Sequence, residues 1–69
     1  TIDVEVLEKD LHGIYLRDLR LPSDVIVLSV RRGNNLIISH GYTRLRRRDI
    51  VTVVGSKHSL DEIKLRFGG

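Results

Sequence analysis

Two groups of arginines are the residues of this 69-residue chain best suited to binding chemistry. Arg31 and Arg32 directly precede Gly33, at a break between two apolar runs. A guanidinium there either holds a phosphate through paired, charge-assisted hydrogen bonds or is solvated beside a turn. Arg44, Arg46, Arg47 and Arg48 form the second group. Such a run attracts anionic lipid headgroups at roughly 1 kcal/mol per residue near the surface, attracts nucleic acid, or is simply a solvated loop. Single-stranded nucleic acid needs a stacking platform. Tyr15, Tyr42 and Phe67 are scattered along the chain, so no nucleic-acid partner is expected.

Catalytic and metal chemistry find less support. Ser23, Ser29, Ser39, His40 and Asp49 are the residue types of a hydrolase, but no nucleophile motif surrounds them. Gly41 and Gly55 belong to no phosphate-cradling glycine loop. His12, His40 and His58 lack ligand spacing, and there is no Cys beside them. Asp3, Glu5, Glu8 and Asp10 do not follow an ordered cation-loop pattern. The expectation is no enzyme activity, no cofactor and no metal.

Length and composition set further bounds. The chain is read as one domain, residues 1–69, with a modest core. Small domains are commonly braced by disulfides, metal or association. With no Cys, association is the aid left. Residues 1–24 carry three Lys/Arg against six Asp/Glu, and residues 25–69 carry nine against three. The basic half can face phosphates or an anionic surface, or be a solvated face. No apolar run approaches the ~20 residues that span a bilayer. The start at Thr1 and the end at Gly68-Gly69 read as a piece cut from a longer protein.

These residues need elements to position them, and the chain turns around Val25–Val30. That run is rich in β-branched residues, which crowd a helix and suit a strand. Val25, Val27 and Ser29 are predicted to face one way and Ile26, Leu28 and Val30 the other. Both faces then want cover, as in a central strand, and a partner is one such cover. Gly33, Asn34 and Asn35 tolerate positive φ, so Leu36–Ile38 is predicted to return as a hairpin.

Around that hairpin, Ile2, Val4 and Val6 alternate with acids as a half-buried strand. Ile14–Leu21 is predicted as a short helix ended by Pro22. Leu45 is the one apolar anchor of the connection over residues 39–49, and Ile50–Val54 is the last strand. Ser59 and Glu62 fit a capping box, with Leu60, Ile63 and Phe67 as the buried stripe of a closing helix. The predicted class is α+β: a four-stranded antiparallel sheet with two helices on one face, in the order β-α-β-β-β-α.

At this point the chain resembles a known module, the C-terminal regulatory domain of potassium-conductance regulators, the TrkA-C or RCK-C family. Leu16-x-x-Leu19-x-Leu21-Pro22 resembles the family's L-x-x-L-x-L-P. Val25–Arg32 followed by Gly33 resembles its apolar strand closing on R-R-G. Ile37-Ile38-x-x-Gly41-x-Thr43-x-Leu45 resembles I-I-P-x-G-D-T-x-L, and Asp49-x-Val51-x-Val53-Val54-Gly55 resembles G-D-x-V-x-V-x-G. Leu60–Phe67 resembles the closing helix, so the likeness runs over nearly all of Val4–Phe67. Three positions depart: Ser39 for the usual Pro, Tyr42 for Asp, and Arg48 for Gly. If the corner at Arg48 needs positive φ, this residue bears a strain of roughly 1 kcal/mol.

The resemblance implies a homodimer attached to a membrane transport protein, in the same chain or complex, at the cytoplasmic face of the membrane. It implies a small effector between protomers, such as cyclic di-AMP or another nucleotide. Leu21, Pro22 and Val25 then fall near the dimer contact and ligand, where they either wall a base or pack as ordinary core. With Arg31 and Arg32 they are the candidate ligand-binding residues. The implied function is a ligand-sensing, dimerising regulatory domain of potassium or other ion transport. The alternatives are a purely structural assembly module and a nucleic-acid-binding module.

Overall fold

Four strands make one antiparallel sheet: β1 (Ile2–Glu5), β2 (Ile26–Arg32), β3 (Asn35–Ile38) and β4 (Ile50–Val54). Their spatial order in this computed structural model, which describes residues 1–68, is β1-β4-β2-β3. The two longest strands, β2 and β4, occupy the middle. β2 turns into β3 through Gly33 and Asn34, with Arg32 opposite Asn35 and Gly33 at φ 60°. Glycine at that first central position matches the turn to the twist of the strands. The helix α1 (Lys57–Phe67) closes the fold. Its Leu60, Ile63 and Phe67 meet Val4, Val6, Val30, Val51 and Val53 from the strand side, and Leu16, Leu19 and Leu45 complete the core. Leu45 is fully buried, as its role of anchor requires.

Three expectations are corrected. Residues 14–21 form no α-helix: Leu16–Asp18 make a single 3-10 turn, so α1 is the one α-helix among the described residues. The reason lies in the backbone partners of residues 13–17. Gly13 N–H donates to the Leu45 carbonyl at 2.7 Å, Leu16 N–H to Thr43 at 2.9 Å and Arg17 N–H to Gly41 at 3.1 Å, while Ile14 carbonyl accepts from Leu45 at 2.9 Å. A segment this short is a marginal helix in isolation, and the 41–45 stretch offers it extended partners instead.

The second correction is the facing of Val30. Val27 pairs with Val53, but the next aligned pair is Ser29 with Thr52, so Leu28 is an extra residue in the ladder. Such a bulge shifts side-chain parity by one. Val30 thereby points into the core with Val27, opposite the buried Val51, rather than outward with Ile26 and Leu28. Val27 carbonyl, beside the bulge, accepts the Ser39 hydroxyl at 2.6 Å, which gives a structural use to serine where the family has proline.

The third concerns the cap of α1. Ser56 is the N-cap, its hydroxyl accepting from the Ser59 amide at 3.3 Å. Ser59 lies inside the helix and donates its hydroxyl to Asp24 Oδ1 at 2.7 Å. Asp24 Oδ2 also accepts from the Ser56 amide at 3.2 Å. The helix starts a turn earlier because a carboxylate from the approach to β2 supplies the negative charge that favours a helix N-terminus. The hydrogen bonds from the Ser56 and Ser59 side chains, foremost among the causes, lower the Asp24 pKa from 3.8 to about 2. At the other end Gly68, at φ 84°, donates its amide to the Lys64 carbonyl at 3.1 Å and stops the helix.

Candidate functional site

The sheet has one covered face and one open face. Cross-strand pairing puts Leu36 beside Arg31 and Ile38 beside Ser29 on the side away from α1. Ile26 and Leu28 share that side, and the four are 61%, 46%, 65% and 73% exposed for Ile26, Leu28, Leu36 and Ile38. The rim is polar toward β1, where Thr52 donates to Asp3 at 2.6 Å and Arg48 meets Glu5 at 3.3 Å. Contiguous exposed apolar side chains with a polar rim mark interaction surfaces. The expectation that both faces of the central strands are apolar is met in a specific way: the bulge keeps Val27 and Val30 in, and leaves Ile26 and Leu28 out.

The predicted ligand residues fall in three places. Leu21 and Val25 are partly buried against the core, and Pro22 is half-buried beside them. Arg31 lies at the far end of β2, exposed on the open face between Leu36 and Ile50. Five residues, Ile26–Val30, separate it from Val25, roughly 20 Å of extended chain. Arg32 points to the opposite face. Its Nε and Nη2 donate to Asp49 at 3.0 and 2.8 Å, and Nη2 also donates to the Arg44 carbonyl at 2.8 Å. The hydrogen bond to Asp49 raises the Arg32 pKa above its ordinary value. A single chain thus brings Leu21, Pro22 and Val25 together and holds Arg31 and Arg32 apart from them and from each other.

Asp49, 1% exposed, is the organising residue that sequence reasoning missed. Besides Arg32 it accepts the Arg46 amide at 2.9 Å, so it joins the hairpin to the 39–49 connection. Its signal was present as an acid directly before an apolar strand, but an acid there also suits a turn. Next to it, His12 and His40 converge with Arg32, Arg44 and Arg46 around a cavity of about 590 Å³ on the covered side of the hairpin. These residues come from distant stretches, and spacing carries no trace of their meeting. Tyr15 is the prop: Arg44 lies 4.7 Å over its ring and donates to its hydroxyl at 2.8 Å. Arg17 bridges Tyr15 and Tyr42 at 5.4 and 4.6 Å from the ring centres. Among the described residues no group of three or more His, Cys, Asp or Glu is placed to hold a metal ion, and no helix is long and apolar enough to cross a membrane.

Comparison with known proteins yields the following. The TrkA-C domain matches residues 2–68. The Trk system potassium uptake protein trkA homolog 1 of Methanosarcina mazei is 34% identical over 61 residues, which covers 88% of this chain and 15% of that protein. A solved RCK domain with cda superposes at a TM-score of 0.90 and 32% identity, over 96% of this chain and 94% of that one. The RCK C domain of the potassium transport protein KtrA, solved in complex with cyclic diadenosine monophosphate, superposes at 0.82 with 19% identity, over 94% of this chain and 79% of that one. At that identity the likeness speaks for the fold. The chain spans 9% to 15% of the length of the curated relatives it matches.

Proposed function

The chain belongs to the TrkA-C domain family, and from that premise we propose that it is a non-catalytic regulatory domain of a potassium or other ion transport system, acting as a dimer that senses a small effector. The observation that carries the dimer is the open apolar face of Ile26, Leu28, Leu36 and Ile38. A second copy laid against it removes that surface from water, and each Å² of apolar area so buried is worth about 25 cal/mol before the costs of association. A twofold axis crossing the middle of β2 sets one copy's Leu21–Val25 end beside the other's Arg31 end. The pair then unites an apolar wall and a cation that a single chain keeps apart. A nucleotide such as cyclic di-AMP, the ligand named for the KtrA domain, has the bases and phosphates for both. Arg32 is held by Asp49 on the other face, so Arg31 is assigned the phosphate.

An effector regulates only through different affinities for two arrangements of the pair. Sedimentation across a concentration series and thermal shift with cyclic di-AMP test the proposal. The expected result is a dimer whose melting temperature rises with the nucleotide, and Leu28→Glu with Ile38→Glu gives a folded monomer. A chain that stays monomeric at high concentration, with no nucleotide moving its melting, refutes it. A dimer indifferent to every nucleotide supports the structural assembly module instead.

A further inference from the structure

The cavity between the hairpin and residues 39–46 lies on the side of the sheet opposite the proposed dimer face and needs no partner to form. We propose that it is a separate anion pocket, one per chain, that takes the terminal phosphate group of a small phosphomonoester.

Five of its nine lining residues are arginines or histidines. Arg32, Arg44 and Arg46 supply guanidiniums, and no carboxylate lines it among the described residues. The nearest acid, Asp49, is fully buried, and its two oxygens are taken by Arg32 and by the Arg46 amide. That accounts for one positive charge and leaves Arg44 and Arg46 in excess. The two imidazoles add to the donors. His12 Nδ1 accepts the Arg47 amide and His40 Nδ1 accepts the Tyr42 amide, each at 3.1 Å. A neutral imidazole whose Nδ1 accepts must carry its proton on Nε2, so each ring has a donor left to offer.

Two of the three arginines are also held in place before a ligand arrives. Arg32 is fixed by Asp49 and the Arg44 carbonyl, and Arg44 is stacked on Tyr15 and hydrogen-bonded to its hydroxyl. Such fixing lowers the ordering cost of binding. A terminal phosphate, with two charges and three free oxygens, is the group that uses several converging donors at once. A phosphodiester offers fewer oxygens and one charge. About 590 Å³ lies within the range of small-ligand sites and exceeds what a bare phosphate fills. The half-buried Ile37 on the lining supplies an apolar contact for the organic part.

The test is an NMR titration of the chain, reading the imidazole Nε2 signals of His12 and His40 and the amides of residues 41–46. The probes are inorganic phosphate, adenosine monophosphate, cyclic di-AMP and succinate, each against sodium chloride of equal ionic strength. Phosphate and the monophosphate are expected to move these signals saturably, the monophosphate at lower concentration. His40→Gln and Arg46→Gln, both at exposed positions, each weaken binding about tenfold or more, whereas Lys57→Gln, which loses the same charge as Arg46→Gln but on α1, leaves it unchanged. The inference is overturned if chloride or succinate moves the same signals equally, if cyclic di-AMP does so, or if His40→Gln weakens binding no more than Lys57→Gln. Its failure is separable from failure of the dimer reading, because an effector on the open face moves Arg31 and Leu36 instead.

Discussion

Arg48 holds its backbone at φ 76°, in the left-handed region. That conformation costs a residue with a Cβ about 1–2 kcal/mol. The side chain gives little in return: its guanidinium meets Glu5 at 3.3 Å with both partners exposed, a pair worth roughly 0.2–1 kcal/mol. The amide donates to the Val6 carbonyl at 2.8 Å, and every substitution except proline keeps that bond. Arg48→Gly relieves the strain, loses the ion pair, and frees the unfolded chain by about 0.4–1 kcal/mol, so its net effect is near zero. The decisive comparison is with Arg48→Ala, which loses the same pair and keeps the strain. Glycine is expected to be the more stable of the two by about 1 kcal/mol, the reverse of their order at ordinary surface positions. Urea unfolding at one fixed protein concentration reads the difference as a shift in midpoint at constant slope. An alanine variant as stable as the glycine variant, or more so, refutes the reasoning.

Asp49→Ala is expected to cost about 3–5 kcal/mol, because it strands the half-buried Arg32 guanidinium and the Arg46 amide. That is much of the roughly 3–10 kcal/mol available to a chain of this size, and thermal unfolding will show it. Asp24 predicts an acid limb. Its pKa is about 2 in the folded chain against 3.8 ordinarily, so the folded state binds the proton less readily. The stability it contributes is full above pH 3.8 and falls away as pH drops toward about 2. Asp24→Asn should flatten stability against pH in that window, and an unchanged slope contradicts the assignment.

Much of the fold is legible in composition and alternation because burial on one face dictates it. Val4 and Val6 are buried where alternation places them, and Leu60, Ile63 and Phe67 form the helix stripe. The errors came where a distant segment outbid a local preference. Residues 13–17 paired with 41–45 instead of coiling, and Asp24 moved the cap from Ser59 to Ser56. The corner at Arg48 was legible only through the resemblance, since nothing local distinguishes an arginine that must adopt positive φ. Of the ligand candidates, adjacency put Arg31 and Arg32 together, yet neighbours on a strand face opposite ways. The pocket was invisible because its histidines and arginines meet only through long-range packing.

The extra residue in β2 has a bearing on how relatives are lined up. Leu28 and Ser29 together stand opposite Thr52, so a chain with Leu28 deleted would still present Val27 and Val30 inward. A one-position gap in mid-strand, which ordinarily turns over every side chain beyond it, is harmless here. Alignments that forbid it will mismatch everything from Ser29 to the hairpin, and a relative one residue shorter at this point keeps its interior while changing only what it shows to a neighbour.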